Sequence, residues 1–185
     1  MPDGVMETKP QLRARMRRVR AAIPDRAERV GSLTTAVLDR CAGIGTGTVM
    51  AFVGIGNEPD TGALIDALLA GGFRVVLPRV VGEEIVAAEH ESGRVLTTGA
   101  FGIPEPAGAA VDPREIDVVL VPGLAFTRDG RRLGQGGGFY DRLLPQLRGD
   151  CLTIGICFAE QIVADLATEP HDRIVDVVVT DAVTE

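Results

Sequence analysis

Continuous apolar runs alternating with amphipathic segments restrict the fold of this chain more than any other feature. Asp117-Val118-Val119-Leu120-Val121-Pro122-Gly123 reads as a strand buried on both faces. Thr48 to Val53, Phe73 to Leu77 (stopped by Pro78), Leu152 to Phe158 and Ile174 to Thr180 read as further strands. Ile85 to Ala88 and Val95 to Thr97 are weaker candidates that would pair as a hairpin around Ser92-Gly93. Helical spacing appears over Thr61 to Ala70, from the glycine-rich stretch after Leu133 to about Leu147, and over Glu160 to Leu166. The segment Gly99 to Pro113 is expected to be an ordered loop without regular structure. Strands that are apolar throughout, separated by helices, imply a mostly parallel central sheet covered on both sides, an α/β protein of three-layer α/β/α sandwich type. Ligands of such sheets sit beyond the strand C-termini, so the loops after Val53, Val121 and Phe158 are where chemistry is expected.

With 185 residues and 45% hydrophobic content, one core is expected, hence a single domain over residues 1–185 with residues 1–8 flexible. No apolar run approaches a membrane span and the N-terminus lacks a signal-peptide layout, which predicts a cytoplasmic protein without a membrane partner. Cys41, Cys151 and Cys157 form no C-x-x-C pair and read as small buried hydrophobes, not as a disulfide framework or zinc site.

Net charge is −7, unevenly distributed. Between Lys9 and Arg29 eight basic residues oppose two acidic ones, a local +6 that leaves −13 for the remainder. An acidic body and 4% aromatic content argue against nucleic acid as the partner of this arm and favour a compact polyphosphate. Thr8-Lys9-Pro10-Gln11 has the form of a capping box. In the helix that follows, Leu12, Met16, Val19 and Ile23 form the apolar stripe. Lys9, Arg13, Arg17 and Arg20 fall on the adjoining ridge, where they could lean over a neighbouring pocket, whereas Arg15 and Arg18 read as a solvated face. Pro24-Asp25 begins a second helix toward Leu38 to Cys41.

Arg132-Leu133-Gly134-Gln135-Gly136-Gly137-Gly138-Phe139-Tyr140-Asp141-Arg142 is the stretch richest in chemistry. Four glycines in five positions let main-chain N–H groups turn toward an anion, and the helix they lead into adds its positive end. Asp141 offers a hard oxygen ligand for a metal accompanying a nucleotide. There is no G-x-x-x-x-G-K-[ST], and some twelve residues separate this loop from its strand, which excludes a P-loop and does not suit a dinucleotide fingerprint. With only His90 and His171 and no G-x-S-x-G, Ser/His/Asp catalysis is poorly supported.

Together with Val121-Pro122-Gly123-Leu124-Ala125-Phe126, Lys9-x-x-Leu12-Arg13, Glu58 and Thr61, Gly102-Ile103-Pro104-Glu105-Pro106 and Pro170-His171-Asp172, this stretch resembles the 5-formyltetrahydrofolate cyclo-ligase (methenyltetrahydrofolate synthetase) family over nearly the whole chain. The resemblance implies a fold like that of sugar-phosphate isomerases and CoA transferases. It also implies ATP- and Mg²⁺-dependent cyclisation of a reduced folate. It assigns catalytic contacts to Lys9, Arg13 and Tyr140, and the nucleotide to Lys9, Arg13 and the run Arg132, Leu133, Gly134, Gln135, Gly136, Gly137, Gly138, Phe139 and Tyr140. The folate falls to Val53, Glu58 and the loop from Gln135 to Phe139, and the metal to Asp141 and Asp172. A monomer or weak dimer is expected. Glu105 and His171 are expected to structure loops, and no general base is assigned.

Each residue also has a plainer role open to it. Lys9 and Arg13 could decorate a helix, Glu58 could cap the helix near Thr61, and Asp172 could fix a turn. A sugar-phosphate-sensing domain and a sugar-phosphate isomerase or kinase on the same sandwich are the competing functions.

Overall fold

The computed structural model describes residues 7–182. Of the stretch expected to be flexible, residues 1–6 lie outside this range. Thr8 is held in place, with its N–H and hydroxyl both donating to Gln11 Oε1, at 3.0 and 2.7 Å.

Two helices come first, α1 (Lys9–Ala22) and α2 (Arg26–Cys41). Strand β1 (Thr48–Met50), helix α3 (Gly62–Ala70) and strands β2 (Arg74–Val81) and β3 (Glu84–His90) follow. A two-residue ladder joins β4 (Thr97–Thr98) to β5 (Pro104–Glu105). After β6 (Val118–Pro122), β7 (Ala125–Phe126) and β8 (Arg132–Leu133) form a small hairpin. Helix α4 (Phe139–Leu143), β9 (Leu152–Ile156) and β10 (Val177–Val179) complete the chain. The main sheet has the order β10-β9-β6-β1-β2-β3, all parallel except β2 with β3, as expected of a mostly parallel α/β sheet.

Alternate residues of the central strands serve different layers. Val118 and Leu120 pack with Leu33, Val37, Leu64 and Leu68 of α2 and α3. Val119 and Val121 face the opposite side, against Tyr140 and Leu143 of α4 and Ile116. This is why β6 is apolar at every position. The third packing group is separate: Leu12 and Met16 of α1 meet Leu124, Ala125, Leu133 and Leu166. Helix α1 therefore lies on the β7–β8 hairpin, at the C-terminal end of the sheet. Among the described residues no helix is long and apolar enough to cross a membrane.

Several sequence expectations are corrected. β2 runs through Pro78, paired with Ala87 of β3, because the missing N–H falls on the β1 side, where pairing ends at Met50 with Val76. The hairpin turns at Gly82-Glu83, not Ser92-Gly93, and Val95 is exposed outside any strand. Within 99–113, Pro104 and Glu105 form the short β5 strand. No helix covers 160–166: a 3-10 turn, Ala159–Gln161, precedes chain that docks on the hairpin. The buried Gln161 amide donates to the carbonyls of Gly123 and Leu124, and Val163 N–H to Phe126. Helix α4 ends at Leu143, followed by a 3-10 turn, Leu144–Gln146, with Pro145 in it. The last strand is confined to Val177–Val179.

Candidate active site

A cavity of about 440 Å³ opens at the C-terminal end of the sheet, between the loop after β1, the glycine stretch, the N-terminus of α1 and the turn before β10. Its lining includes every residue to which the family resemblance assigns a contact: Lys9, Arg13, Val53, Glu58, Arg132 through Asp141, and Asp172. The twelve-residue separation between β6 and the glycine stretch is closed by the hairpin. Leu124 N–H donates to Leu133 O at 2.7 Å, returning Gly134 to the end of β6.

Main-chain conformation explains the glycines. Gly136 and Gly138 have φ of +109° and +67°, values that side chains disfavour. Among the described residues, the N–H groups of Gly134 through Gly138 donate to no protein acceptor, so an anion could be received there. The contribution expected from a helix dipole is smaller than the sequence suggested, since α4 has only five residues.

The α1 ridge sends each of its cations to a different part of this site. Lys9 Nζ lies 2.6 Å from Asp172 Oδ2 and 2.7 Å from Glu169 Oε2, with only 13% of its side chain exposed. Burial opposes the Lys9 charge, but the two carboxylates outweigh it and raise its pKa. Asp172 likewise resists burial with the help of Lys9 and is shifted below the usual carboxylate range. Arg13 Nε donates to Gly134 O at 3.0 Å, Arg17 to Gln135 Oε1 at 3.2 Å, and Arg20 Nη1 to Glu58 Oε1 at 3.3 Å. Lys9, Arg13 and Arg20 are thus tied into the site, while Arg17 reaches Gln135 from an exposed position.

Glu58 does not cap α3. Asp60 Oδ1 accepts the Gly62 N–H, while Glu58 faces Arg20 and accepts the Ile55 N–H through Oε2. Asp172 both pairs with Lys9 and fixes its turn, accepting the Glu169 N–H at 2.6 Å. Glu105 structures its loop by accepting from Val80 and Ala100. Tyr140 is buried, its hydroxyl has no partner among the described residues, and burial pushes its pKa up. Arg132 stacks over the Tyr140 ring at 5.8 Å and pairs with Asp141 Oδ1 at 2.7 Å.

Carboxylate oxygens suit a hard cation such as Mg²⁺. Glu169, His171 and Asp172 bring ligand atoms within 4.8 Å of one another, and Asp141 Oδ2 has no partner among the described residues. Asp172 thus offers a carboxylate oxygen alongside Glu169, whereas Asp141, also expected at the metal, lines the same cavity outside that group. Sequence reasoning missed Glu169 as a site residue; its only signal is its place beside Pro170-His171-Asp172. Phe101 was also missed. It lines the cavity with φ of +57° and meets the Phe139 ring edge-on at 6.0 Å.

Fold and cavity define a small α/β enzyme whose site is assembled from loops at the strand ends, with cations and bare main chain at one end and the partly buried Glu58 carboxylate at the other. Comparison with known proteins is specific. The model of the 5-formyltetrahydrofolate cyclo-ligase family matches residues 5–181, and the chain belongs to that family. The 5-formyltetrahydrofolate cyclo-ligase of Mycolicibacterium smegmatis is 36% identical over 134 residues, 68% of this chain and 69% of that one. That of Escherichia coli is 32% identical over 175 residues, covering 88% and 94%. The structure of Aquifex aeolicus 5,10-methenyltetrahydrofolate synthetase superposes with a TM-score of 0.83 at 32% identity, over 94% of this chain and 89% of that one.

Proposed function

We propose that this protein converts 5-formyltetrahydrofolate and ATP into 5,10-methenyltetrahydrofolate, ADP and phosphate, acting as a single-domain monomer or weak dimer in the cytoplasm. The observation that carries the reading is the delivery of Lys9 and Arg13 by one helix to a glycine loop whose N–H groups donate to no acceptor among the described residues.

A formamide carbon is a weak electrophile and its oxygen a poor leaving group, so attack by N10 stalls without activation. The formyl oxygen takes the γ-phosphoryl group from ATP and ADP departs. N10 then bonds to the formyl carbon, the C–O bond breaks with phosphate as leaving group, and the N10 proton is lost to solvent or phosphate. Such a sequence needs alignment of two substrates and neutralisation of phosphate charge, not an enzyme nucleophile. Lys9, Arg13 and the main chain of Gly134 to Gly138 are suited to the phosphates, and Arg132 to Tyr140 wraps the nucleotide. Glu58 accepts hydrogen bonds from the pterin's donor edge, with Val53 and the loop from Gln135 to Phe139 against the ring. Mg²⁺, held by Asp141 and Asp172 with Glu169 beside them, would supply further neutralisation of phosphate charge. No part of this site calls for nucleic acid or a membrane.

The test is to mix the protein with 5-formyltetrahydrofolate and Mg²⁺-ATP and follow both the absorbance of the methenyl product and ADP. Stoichiometric formation of both is expected; absence of both rejects the proposal and favours a sugar-phosphate ligand.

A further inference from the structure

The proposed reaction leaves two cations of the α1 ridge without a role, Arg17, which is exposed, and Arg20, which is buried. The Arg20 side chain is 8% exposed, and its Nε is buried with no partner among the described residues. Removing a guanidinium from water this completely is unfavourable, and a position on α1 between the buried Met16 and Ile23 would accept an aliphatic side chain with less penalty. Arg26 brings more positive charge close by, donating to Arg20 O at 3.1 Å. Burial and like charge both oppose the cation, and Glu58 is its ion-pair partner.

Glu58 faces the cavity. Oε1 receives Arg20 and Oε2 receives the Ile55 N–H, each at 3.3 Å, so both oxygens keep lone pairs free. A carboxylate can accept two parallel N–H bonds from a flat heterocycle only if its plane is fixed. The Ile55 main chain constrains it from its own loop, and Arg20 from helix α1. Lys9 and Arg20 stand eleven residues apart on one helix, roughly 16 Å at the usual rise, so α1 also sets the spacing between the phosphate end and this carboxylate.

We infer that Arg20 is a positioning residue for the folate. It pins the Glu58 carboxylate in the plane that meets the donor edge of the pterin, without itself touching substrate. The inference rests on the ligase reading and adds to it a residue that acts through another.

The experiment compares steady-state kinetics and thermal melting of the unsubstituted protein, Arg20→Met, Arg20→Lys, Glu58→Gln and the Arg20→Met/Glu58→Gln pair. Recognition remote from the reacting atoms predicts that Arg20→Met raises KM for 5-formyltetrahydrofolate about tenfold or more, with kcat and KM for ATP within about twofold. Arg20→Lys restores most of the loss. In the Glu58→Gln background, Arg20→Met should alter folate KM less than about threefold, since both changes remove one coupled interaction. Unchanged folate KM in Arg20→Met overturns the inference. Parallel rises in both KM values also overturn it, because they report displacement of α1 with Lys9 and Arg13. If Arg20→Met does not fold, Arg20→Gln, which lacks the charge but keeps a polar head, decides by the same split between the two substrates. No turnover by the unsubstituted protein sinks the ligase reading itself, whereas normal turnover with an unaffected Arg20→Met sinks only the role of Arg20.

Discussion

Arg13 Nε donates to the carbonyl oxygen of Gly134 at 3.0 Å, joining residues 121 positions apart in sequence. Its guanidinium keeps further donors, and the neighbouring N–H groups have no acceptor among the described residues, so the contact holds the loop while leaving a phosphate its partners. Charge-assisted hydrogen bonds contribute about 1.5 to 3 kcal/mol each. Arg13→Ala and Lys9→Ala should therefore each raise the apparent KM for ATP by roughly 10- to 100-fold, well beyond any effect on folate affinity. Unchanged ATP dependence in both variants would remove these residues from the nucleotide site.

Tyr140 offers a test in which stability and activity move apart. Its buried hydroxyl lacks a partner among the described residues, so its removal forfeits no protein hydrogen bond. Tyr140→Phe should leave melting temperature unchanged or raise stability by about 1 kcal/mol, while turnover falls about tenfold if the hydroxyl meets substrate. A variant with full turnover would show that this group has no part in the reaction.

The Lys9–Asp172 pair predicts a particular pH profile. Asp172 has a lowered folded pKa, so its contribution is present above the ordinary carboxylate range and fades as pH falls through the folded value. Lys9 has a raised one, so its contribution is present below the ordinary lysine value and fades as pH rises through the folded value. The stability difference between the unsubstituted protein and Lys9→Met should accordingly be level from about pH 5 to 9 and shrink below about pH 4 and above about pH 11. Chemical denaturation across this range measures it. A difference that grows on acidification would contradict the pairing.

The three cysteines should be inert in the folded protein. All are buried, and burial raises each thiol, Cys151 to about 11 and Cys41 and Cys157 in the same direction. A thiol-disulfide reagent at pH 8 should label none within minutes and all three after denaturation. Rapid labelling of the native protein would show that one of them reaches solvent.

Local pattern alone determined much of this protein. The apolar runs specify strands because a sheet covered on both faces needs apolar residues at every position, as in Val118 to Val121. Helical periodicity placed Lys9, Arg13, Arg17 and Arg20 on one ridge, and the glycines marked bare main chain. Elements whose form depends on a distant partner were not legible. The hairpin after β6 returns the glycine loop to its strand, Pro78 is tolerated where β1 has ended, and residues 160–166 dock on the hairpin instead of coiling. Which acceptor each ridge cation meets was likewise decided only in three dimensions. Glu58 and Asp172 come from loops far apart in the chain, and their charge becomes informative once folding largely removes them from water beside a particular cation.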